Sequence, residues 1–379
     1  MSTAKDIISG SKKDRLVSLD ALRGFDMFWI IGAGSIATGL VNLKLPWSSF
    51  IAGQLSHSQW NGFTFYDLIF PLFVFITGVS LVLSLQKRIE RTEDYSAIIK
   101  HVLKRTIVLF LVGIVYYDQF SYPLHLERIR IMGVLQRIAL CYFFSSLLVI
   151  YTRPRTQAAT VVGILVGYWA IMRFVAIPGY GAGIWTQAHN LPRYIDNLLL
   201  PGRLFYGSWD PEGILTTIPA IATCLLGVLT GHWLRTSEWY HSRTMDATQR
   251  ARYLFLAGVV LVILSLLVNP FFPINKNLWT SSFVLLTGGL AAMLMAFAYW
   301  IIDIRGHRIR AFPFIVIGMN SIFIYFAVRF VPFDKIAAWL ISRIAVFGRS
   351  QTLVAAMLEL AIEGLLLLYL YRRQVFIRI

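Results

Sequence analysis

Apolar segments long enough to cross a bilayer follow one another along almost the whole chain. A transmembrane helix needs about 20 predominantly apolar residues. Segments of this kind occupy residues 16–41, 62–86, 101–117, 131–151, 158–177, 213–234, 252–269, 279–302, 312–330 and 351–371. The pattern predicts an all-α, polytopic helical membrane protein with about ten transmembrane helices, forming a single membrane domain over residues 1–379.

Lys and Arg residues are concentrated in alternate connecting segments. If the N-terminus is cytoplasmic, 22 of the 35 Lys and Arg residues lie in cytoplasmic segments and nine lie on the opposite side. This bias follows the positive-inside rule and predicts that both termini are cytoplasmic, with residues 1–15 as a cytoplasmic tail. The segment 335–347 is short and carries charges among apolar residues, so we expect a short interfacial helix there.

Composition supports a membrane protein and excludes several other classes. Only 14% of the residues are charged, against about a quarter in soluble domains. The net charge of +16 fits cytoplasmic loops better than nucleic-acid binding, because no basic stretch lies in a foldable soluble segment. Cys141 and Cys224 lie in apolar runs and offer neither a disulfide framework nor a zinc site. The first apolar segment contains charged residues, so we expect a retained helix rather than a secretory signal.

Charged and titratable residues inside or beside the apolar segments are the candidates for function. Asp20, Arg23 and Asp26 are three residues apart in the first span, so they share a helix face. They form either a cluster that neutralises itself or the lining for a polar ligand entering from the cytoplasm. Ionisable groups are costly in lipid, by about 2.5–3.5 kcal/mol each on insertion scales.

His57 lies in the outer loop 42–61, among polar residues and just before the second span. A free imidazole titrates near neutral pH, so His57 is a candidate general base, although an interfacial histidine is often structural. If the second helix begins near Gly62, Asp67 lies about 15 Å deeper than His57 by helix rise. The two would then form a dyad only if the loop folds back. The long outer loop 178–212, on the periplasmic side, is a second candidate for function.

Arg130 and Arg137 are seven residues apart and share a helix face at the start of the fourth span. Snorkelling explains Arg130 but not the deeper Arg137. Arg137 needs a buried partner such as Asp67, or an anionic ligand. Asn320 and Ser321 lie mid-span, where small polar residues commonly serve helix packing.

Several blocks of sequence along the chain form a recognisable set. The blocks are Ser18-Leu19-Asp20-Ala21-Leu22-Arg23-Gly24-Phe25, His57 with Trp60-Asn61-Gly62, Asp67-Leu68-Ile69-Phe70-Pro71, Gly133-Val134-Leu135-Gln136-Arg137, Asp210-Pro211-Glu212-Gly213, Pro273-Ile274-Asn275-Lys276-Asn277-Leu278-Trp279 and Gly318-Met319-Asn320-Ser321. Together they resemble the blocks of one family, the heparan-α-glucosaminide N-acetyltransferases and their bacterial relatives. They occur in family order from residue 15 to Tyr371-Arg372-Arg373. The start of the chain directly at the first block is similar to the bacterial branch, which implies a multi-pass protein of the bacterial inner membrane.

The resemblance implies a transmembrane transferase that moves acetyl from cytosolic acetyl-CoA to the amine of a glucosamine-type sugar on the periplasmic side. It implies His57 as the catalytic histidine, and we add Asp67 as a second catalytic residue. For binding of acetyl-CoA we assign Arg15, Arg23, Gln136, Arg137, Asn320 and Ser321. For binding of the sugar we assign Trp60, Asn61, Arg130, Asp210, Glu212 and Asn275. No metal is expected.

The sequence leaves three points open. The family has a polar residue late in the first span, whereas this chain reads Gly32-Ala33-Gly34-Ser35. His57 is able to act as a base in direct transfer or as an acetylated intermediate. O-acetylation of a surface glycan and secondary transport of a sugar or peptide are the alternative functions. Acetyl-CoA, an amino sugar or oligosaccharide and the lipid bilayer are the expected partners; nucleic acid is not, and a homodimer is an open alternative to the monomer.

Overall fold

The computed structural model describes residues 16–90, 94–117, 126–235, 245–343 and 348–377. In chain order its α-helices are α1 Val17–Asn42, α2 Pro46–Gln54, α3 Ile69–Ile89, α4 Tyr95–Tyr117, α5 Val134–Tyr151, α6 Pro154–Phe174, α7 Leu191–Leu199, α8 Ile214–Arg235, α9 Ala247–Val268, α10 Ser281–Ala298, α11 Arg308–Met319, α12 Ser321–Phe330, α13 Phe333–Ser342 and α14 Gln351–Arg372. Short 3-10 turns cover Phe65–Leu68, Leu126–Arg128 and Gly348–Ser350, and a π-helical turn, Tyr299–Ile304, follows α10. Two short strands, β1 Ala176–Ile177 and β2 Gly181–Ala182, pair antiparallel.

The all-α, polytopic architecture predicted from the sequence is confirmed. Among the described residues, eight helices are long and apolar enough to cross a membrane, and the pair α11 and α12 makes a ninth if the two, bent by 62°, form one span. A helix lies on each of the ten predicted segments. However, α4 carries Lys100, Lys104 and Arg105 in its N-terminal half, so its uncharged part is only about 18 Å long.

Two predictions on the arrangement of these elements stay predictions. A ten-residue helix, α13, forms where an interfacial helix was predicted over 335–347, and residues 344–347 lie outside the described part of the chain. Because no membrane is present, the cytoplasmic position of both termini is not tested. The chain divides into two compact units, which are described separately below.

The first unit contains residues 16–56, 245–256 and 293–377 of the described chain. Its centre is the contact between α1 and α11, where Gly24 and Gly318 allow the two backbones to touch: a Cβ at Gly24 would overlap the carbonyl of Phe314. Small residues permit this close approach of helices in membranes. Both carboxylate oxygens of Asp303 accept hydrogen bonds, at 3.1 Å, from the first backbone N–H groups of α1, at Val17 and Ser18. Asp303 therefore satisfies helix-end donors that α1 leaves unpaired.

The second unit contains residues 57–235 and 257–292 of the described chain. Its centre is the contact between α3 and α8, where a Cβ at Gly78 or at Gly227 would overlap the backbone of the opposite helix. Helices α5 and α6 also pack on α8. At one end of this bundle, a hydrophobic cluster formed by Tyr168, Met172, Ile177, Leu191, Leu215, Phe272 and Leu278 supports the loops that carry the candidate site.

Candidate active site

Asp67 organises the loop that leads into the second predicted span. The 3-10 turn begins at Phe65, and the Asp67 side chain is completely buried. Its Oδ2 accepts hydrogen bonds from the backbone N–H of Ser58 at 3.1 Å, the backbone N–H of Thr64 at 3.1 Å and the Thr64 hydroxyl at 3.0 Å. A buried carboxylate with several donors is held in one orientation, since each unmade bond would leave a buried polar group unsatisfied.

His57 is held by the other carboxylate oxygen of Asp67. The His57 Nδ1 lies 2.9 Å from Asp67 Oδ1. A carboxylate accepts hydrogen bonds and does not donate them, so the pair places the proton of the neutral imidazole on Nδ1. Nε2 then carries the lone pair. The His57 side chain is 49% exposed, so the imidazole is accessible from outside the protein.

The sequence interpretation allowed this pairing only on the condition that the loop folds back, and the structure meets that condition. A continuous helix from Gly62 would separate the two residues by about 15 Å. Instead Gly62 adopts a positive φ of 115°, and helical structure begins only at Phe65. The loop folds back and brings His57 onto Asp67.

Lys276 completes the group around His57, and we did not include it among the site residues predicted from the sequence. Its Nζ lies 2.9 Å from His57 Nδ1, 2.8 Å from His57 Nε2 and 4.0 Å from Asp67 Oδ1. The Tyr66 ring stacks on the imidazole, with 4.7 Å between the ring centroids. The signal for Lys276 in the sequence was its position in a recognisable block and in an outer loop with no other Lys or Arg.

The pKa of Lys276 is lowered to about 8. Burial of the side chain, which is only 13% exposed, is the main cause. The negative charges of Glu212 and Asp67 oppose this effect, and the positive charge of Arg137 adds to it. The ammonium form therefore predominates at neutral pH, and the neutral amine becomes substantial above about pH 8.

Two hydrogen bonds join the His57 loop to the Lys276 loop. The backbone N–H of Gly62 donates to the carbonyl of Ile274 at 2.9 Å, and the Asn275 amide donates to Asn61 Oδ1 at 3.0 Å. Asn275 also accepts a hydrogen bond from the backbone N–H of Leu278 at 2.9 Å. Asn61 and Asn275, which were predicted to bind the sugar, thus hold the two halves of the site together.

Trp60 forms one wall beside this junction. Its indole N–H donates to the carbonyl of Trp185 at 2.9 Å, and its ring meets Trp209 edge to face. Both contacts connect the His57 loop to the long segment 178–212. An aromatic wall of this kind suits the apolar face of a sugar ring, and the sugar-binding assignment of Trp60 stays a prediction.

Arg130, Asp210 and Glu212 form a buried ion triad. The Arg130 guanidinium donates two hydrogen bonds to Asp210, at 2.6 and 2.7 Å, and one to Glu212 at 2.6 Å. Its guanidinium carbon lies 4.4 Å from the centroid of the Tyr117 ring and 4.6 Å from that of the Phe205 ring. These three side chains bind one another, and their assignment to the sugar stays a prediction. Desolvation alone would lower the pKa of Arg130, but the two carboxylates outweigh it and raise the value.

Arg137 is completely buried and does not pair with Asp67, so that predicted pairing is wrong. One guanidinium nitrogen, Nη2, donates to the Pro211 carbonyl at 2.6 Å and to the Thr216 hydroxyl at 2.5 Å. The guanidinium lies over the Trp279 ring, 4.8 Å from its centroid. The sequence interpretation chose Asp67 as partner because both residues are predicted at similar depth. It did not predict that Pro211, at the end of the loop 178–212, lies against Arg137.

Unsatisfied polar atoms occur next to this arginine. Among the described residues, Nε and Nη1 of Arg137 and both amide atoms of the buried Gln136 have no hydrogen-bond partner. Buried donors and acceptors usually have partners, which include water and ligands. The assignment of Gln136 and Arg137 to acetyl-CoA stays a prediction.

Three of the residues assigned to acetyl-CoA, Arg23, Asn320 and Ser321, belong to the first unit. Arg23 contacts Asp20 at 3.4 Å, as predicted, whereas both carboxyl oxygens of the buried Asp26 are without a hydrogen-bond partner in the described chain. The Asn320 amide is engaged at both ends, donating to the Val375 carbonyl at 3.0 Å and accepting from the Ile377 N–H at 2.9 Å.

Ser321 is buried at the start of α12. Ser35, the only polar residue of the divergent Gly32–Ser35 stretch, hydrogen-bonds Glu359. Arg15 lies outside the described residues. Within the described ranges, no three or more His, Cys, Asp and Glu side chains are grouped so that they could hold a metal ion.

A family model and two curated relatives that match this chain carry the same description. The sequence model of the family described as heparan-alpha-glucosaminide N-acetyltransferase, catalytic, matches residues 15–270. The chain is 30% identical to the human heparan-alpha-glucosaminide N-acetyltransferase and 29% identical to the one from Mus musculus, each over 320 residues. Each alignment covers 71% of this chain and 48% of the relative, so the chain spans about half the length of these curated relatives. His57 and Asp67 lie inside the matched range, and Lys276 lies beyond it.

Proposed function

Because the chain belongs to the heparan-α-glucosaminide N-acetyltransferase family, we propose that it is a membrane-embedded acetyltransferase acting on an amino sugar. In this proposal the donor is acetyl-CoA from the cytoplasm and the acceptor is the amine of a glucosamine-type sugar on the periplasmic side. The enzyme then resides in a bacterial inner membrane. The observation that carries the proposal is the exposed imidazole of His57, anchored through Nδ1 by the buried Asp67.

The geometry suits the proton transfer that this reaction requires. The acceptor amine must lose a proton as it attacks the thioester carbonyl, and a base within hydrogen-bond reach takes that proton. His57 offers Nε2 for this role, while Asp67 fixes the tautomer and stabilises the imidazolium. In the alternative route, Nε2 itself attacks the thioester, and the acetyl group passes from His57 to the amine.

Loss of the base is expected to remove the activity. His57→Ala should lower the turnover number by about 100-fold or more, the range typical of general-base catalysis. The purified protein would be incubated with acetyl-CoA and glucosamine while release of the CoA thiol and the mass of the sugar product are measured. Native Cys141 and Cys224 are buried and should not disturb thiol detection. Wild-type turnover in the alanine variant would exclude both routes through His57.

A matched pair of acceptors separates the alternative functions. N-acetylglucosamine has the same ring and hydroxyls as glucosamine, but its amine is blocked. We expect thiol release with glucosamine and not with N-acetylglucosamine. Equal release with both sugars would indicate O-acetylation, and uptake of unmodified glucosamine into proteoliposomes would indicate a transporter.

The two routes differ in one intermediate. Incubation with radiolabelled acetyl-CoA without any sugar would label His57 in the acetyl-histidine route and leave the protein unlabelled in direct transfer. Mass spectrometry of the peptide that contains His57 would show which occurs, with His57→Ala as the control.

A further inference from the structure

The Lys276 side chain lies beside the imidazole of His57, a position that suits a role in the reaction. We propose that Lys276 is a catalytic residue whose ammonium group stabilises the negative charge that develops on the carbonyl oxygen of the acyl donor. This inference rests on the proposed acetyl transfer at His57.

The distances define where the ammonium lies relative to the imidazole. Nζ is 2.9 Å from Nδ1 and 2.8 Å from Nε2 of the same ring. In the plane of the ring, an atom at those distances would overlap the carbon between the two nitrogens. Nζ therefore lies over one face of the ring, off the in-plane lone pair of Nε2. The basic nitrogen stays open to the substrate, and a positive charge lies beside it.

The chemistry of the step needs such a charge. When the amine nitrogen attacks the thioester carbon, the C–N bond forms and the carbonyl electron pair moves to oxygen. The carbonyl then re-forms, the C–S bond breaks, and the CoA thiolate takes up the proton that left the amine. A donor about 3 Å from the transient oxyanion stabilises this intermediate. Lys276 carries three N–H donors, and its Nζ lies within 3 Å of the nitrogen at which the reacting atoms must gather.

The charged groups around Lys276 favour its cationic form. Asp67 faces it from the 3-10 turn and Glu212 from the segment before α8, while Arg137 on α5 acts in the opposite sense. His57 and the stacked Tyr66 are the other titratable neighbours on the adjoining loop. The hydrogen bonds of Asn275 and Ile274 hold the Lys276 loop in place, so the donor requires little reorganisation during reaction.

Two substitutions separate charge from shape. Lys276→Met keeps most of the side-chain volume and removes the charge, and we expect its turnover number to fall about 100-fold or more, as on loss of an oxyanion donor. Lys276→Arg keeps the charge, and its turnover number should be at least about tenfold higher than that of the Met variant. Lys335→Met, on the exposed face of α13, is the matched control. Unchanged melting and gel-filtration profiles would show that the variants are folded, and equal activity of the Met and wild-type proteins would overturn the proposal.

The pH dependence gives a readout that a structural role would not move. The Lys276 ammonium is lost above about pH 8, whereas a guanidinium stays charged. The ratio of Arg-variant to wild-type activity should therefore rise between about pH 7 and pH 9. A flat ratio would contradict a catalytic charge at this position.

A second reaction keeps the test independent of the sugar substrate. Diethyl pyrocarbonate acylates neutral imidazole through a similar oxyanion, and mass spectrometry quantifies the product at His57. At about pH 8.5, His57 should react at least about fivefold faster in the Arg variant than in the Met variant. A cation that only lowered the basicity of the ring would produce the opposite order, so equal or reversed rates would overturn the inference. If wild-type protein fails to release CoA with glucosamine, the proposed function is wrong, and these rates alone decide the role of Lys276.

Discussion

Asp67 has two tasks that use different oxygens of one carboxylate. Oδ2 holds the loop through Ser58 and Thr64, and Oδ1 orients His57. Such orienting partners are commonly nearly as important as the groups they hold, because they set both tautomer and ring position.

Asp67→Asn is therefore expected to reduce the turnover number by about 100-fold or more. An amide presents a donor or an acceptor to Nδ1 and cannot stabilise an imidazolium as a carboxylate does. Thr64→Val, which removes the hydroxyl donor and keeps the carboxylate, is the control and should cost less than about tenfold. Comparable losses in the two variants would show that Asp67 acts only by shaping the loop.

Asp196 offers a test by pH outside the predicted spans. Burial is the main cause that raises its pKa from 3.8 to about 6. A carboxyl whose pKa is higher in the folded state destabilises the fold where it is ionised. This penalty decreases as pH falls below about 6 and is gone below the ordinary value of 3.8. The gain in melting temperature of Asp196→Asn over wild type should thus be larger at about pH 7.5 than at about pH 4.5. A difference that is independent of pH would contradict the raised pKa.

At this scale the sequence selected residues that the structure brings together, but it did not predict their contacts. His57 and Asp67 were both selected, yet their pairing depends on the positive φ of Gly62 and on a helix start three residues later. Lys276 is 219 residues from His57 along the chain, and no local pattern reports such a contact. Arg137 was recognised as buried, but its partners are the Pro211 carbonyl and the Thr216 hydroxyl, and neither carries the opposite charge by which a sequence interpretation selects a partner.

Among the elements, the glycine contact between α3 and α8 supports the second unit. A Cβ at Gly78 would overlap the Cys224 carbonyl, and one at Gly227 would overlap the Phe75 carbonyl. Backbone atoms cannot rotate away as a side chain can, so the helices would have to separate.

Gly78→Ala and Gly227→Ala are expected to destabilise the fold by about 1–3 kcal/mol each, the range typical of overpacking. Gly163→Ala on α6 is the matched control, since a Cβ there meets nothing within 4 Å. In that open position alanine should stabilise the helix by up to about 1 kcal/mol. Thermal unfolding in detergent, followed by tryptophan fluorescence, would show whether Gly78→Ala and Gly227→Ala lower the stability while Gly163→Ala does not. A loss of stability of equal size at all three glycines would contradict this prediction.

The helices themselves were well predicted, because their signal is the length of each apolar run. The exceptions have physical causes. The ninth predicted span is broken at Asn320, where α11 and α12 meet at a bend of 62°. The Asn320 amide hydrogen-bonds the backbone of the C-terminal segment at Val375 and Ile377. The sequence interpretation treated Asn320 as a packing residue or a ligand contact and did not predict these bonds.

For the whole molecule, the direction of insertion remains a prediction based on Lys and Arg. Single cysteines in place of Tyr95 and Gln187, both exposed, would be treated in intact cells with a membrane-impermeant maleimide. We expect labelling at position 187 and none at position 95 until the membrane is opened. The buried Cys141 and Cys224 provide the unlabelled background. The reverse pattern would invert the topology and with it the proposed direction of acetyl transfer.

The hydrogen bonds between the His57 and Lys276 loops have a consequence for biosynthesis. Gly62 and Asn61 are synthesised more than 200 residues before Ile274 and Asn275, with which they pair. These two hydrogen bonds therefore cannot form until the chain has been synthesised beyond residue 275. A nascent chain released before that point would carry His57 and Asp67 without the loop that supports them. Under the proposed function, a chain terminated before residue 274 is therefore expected to be inactive.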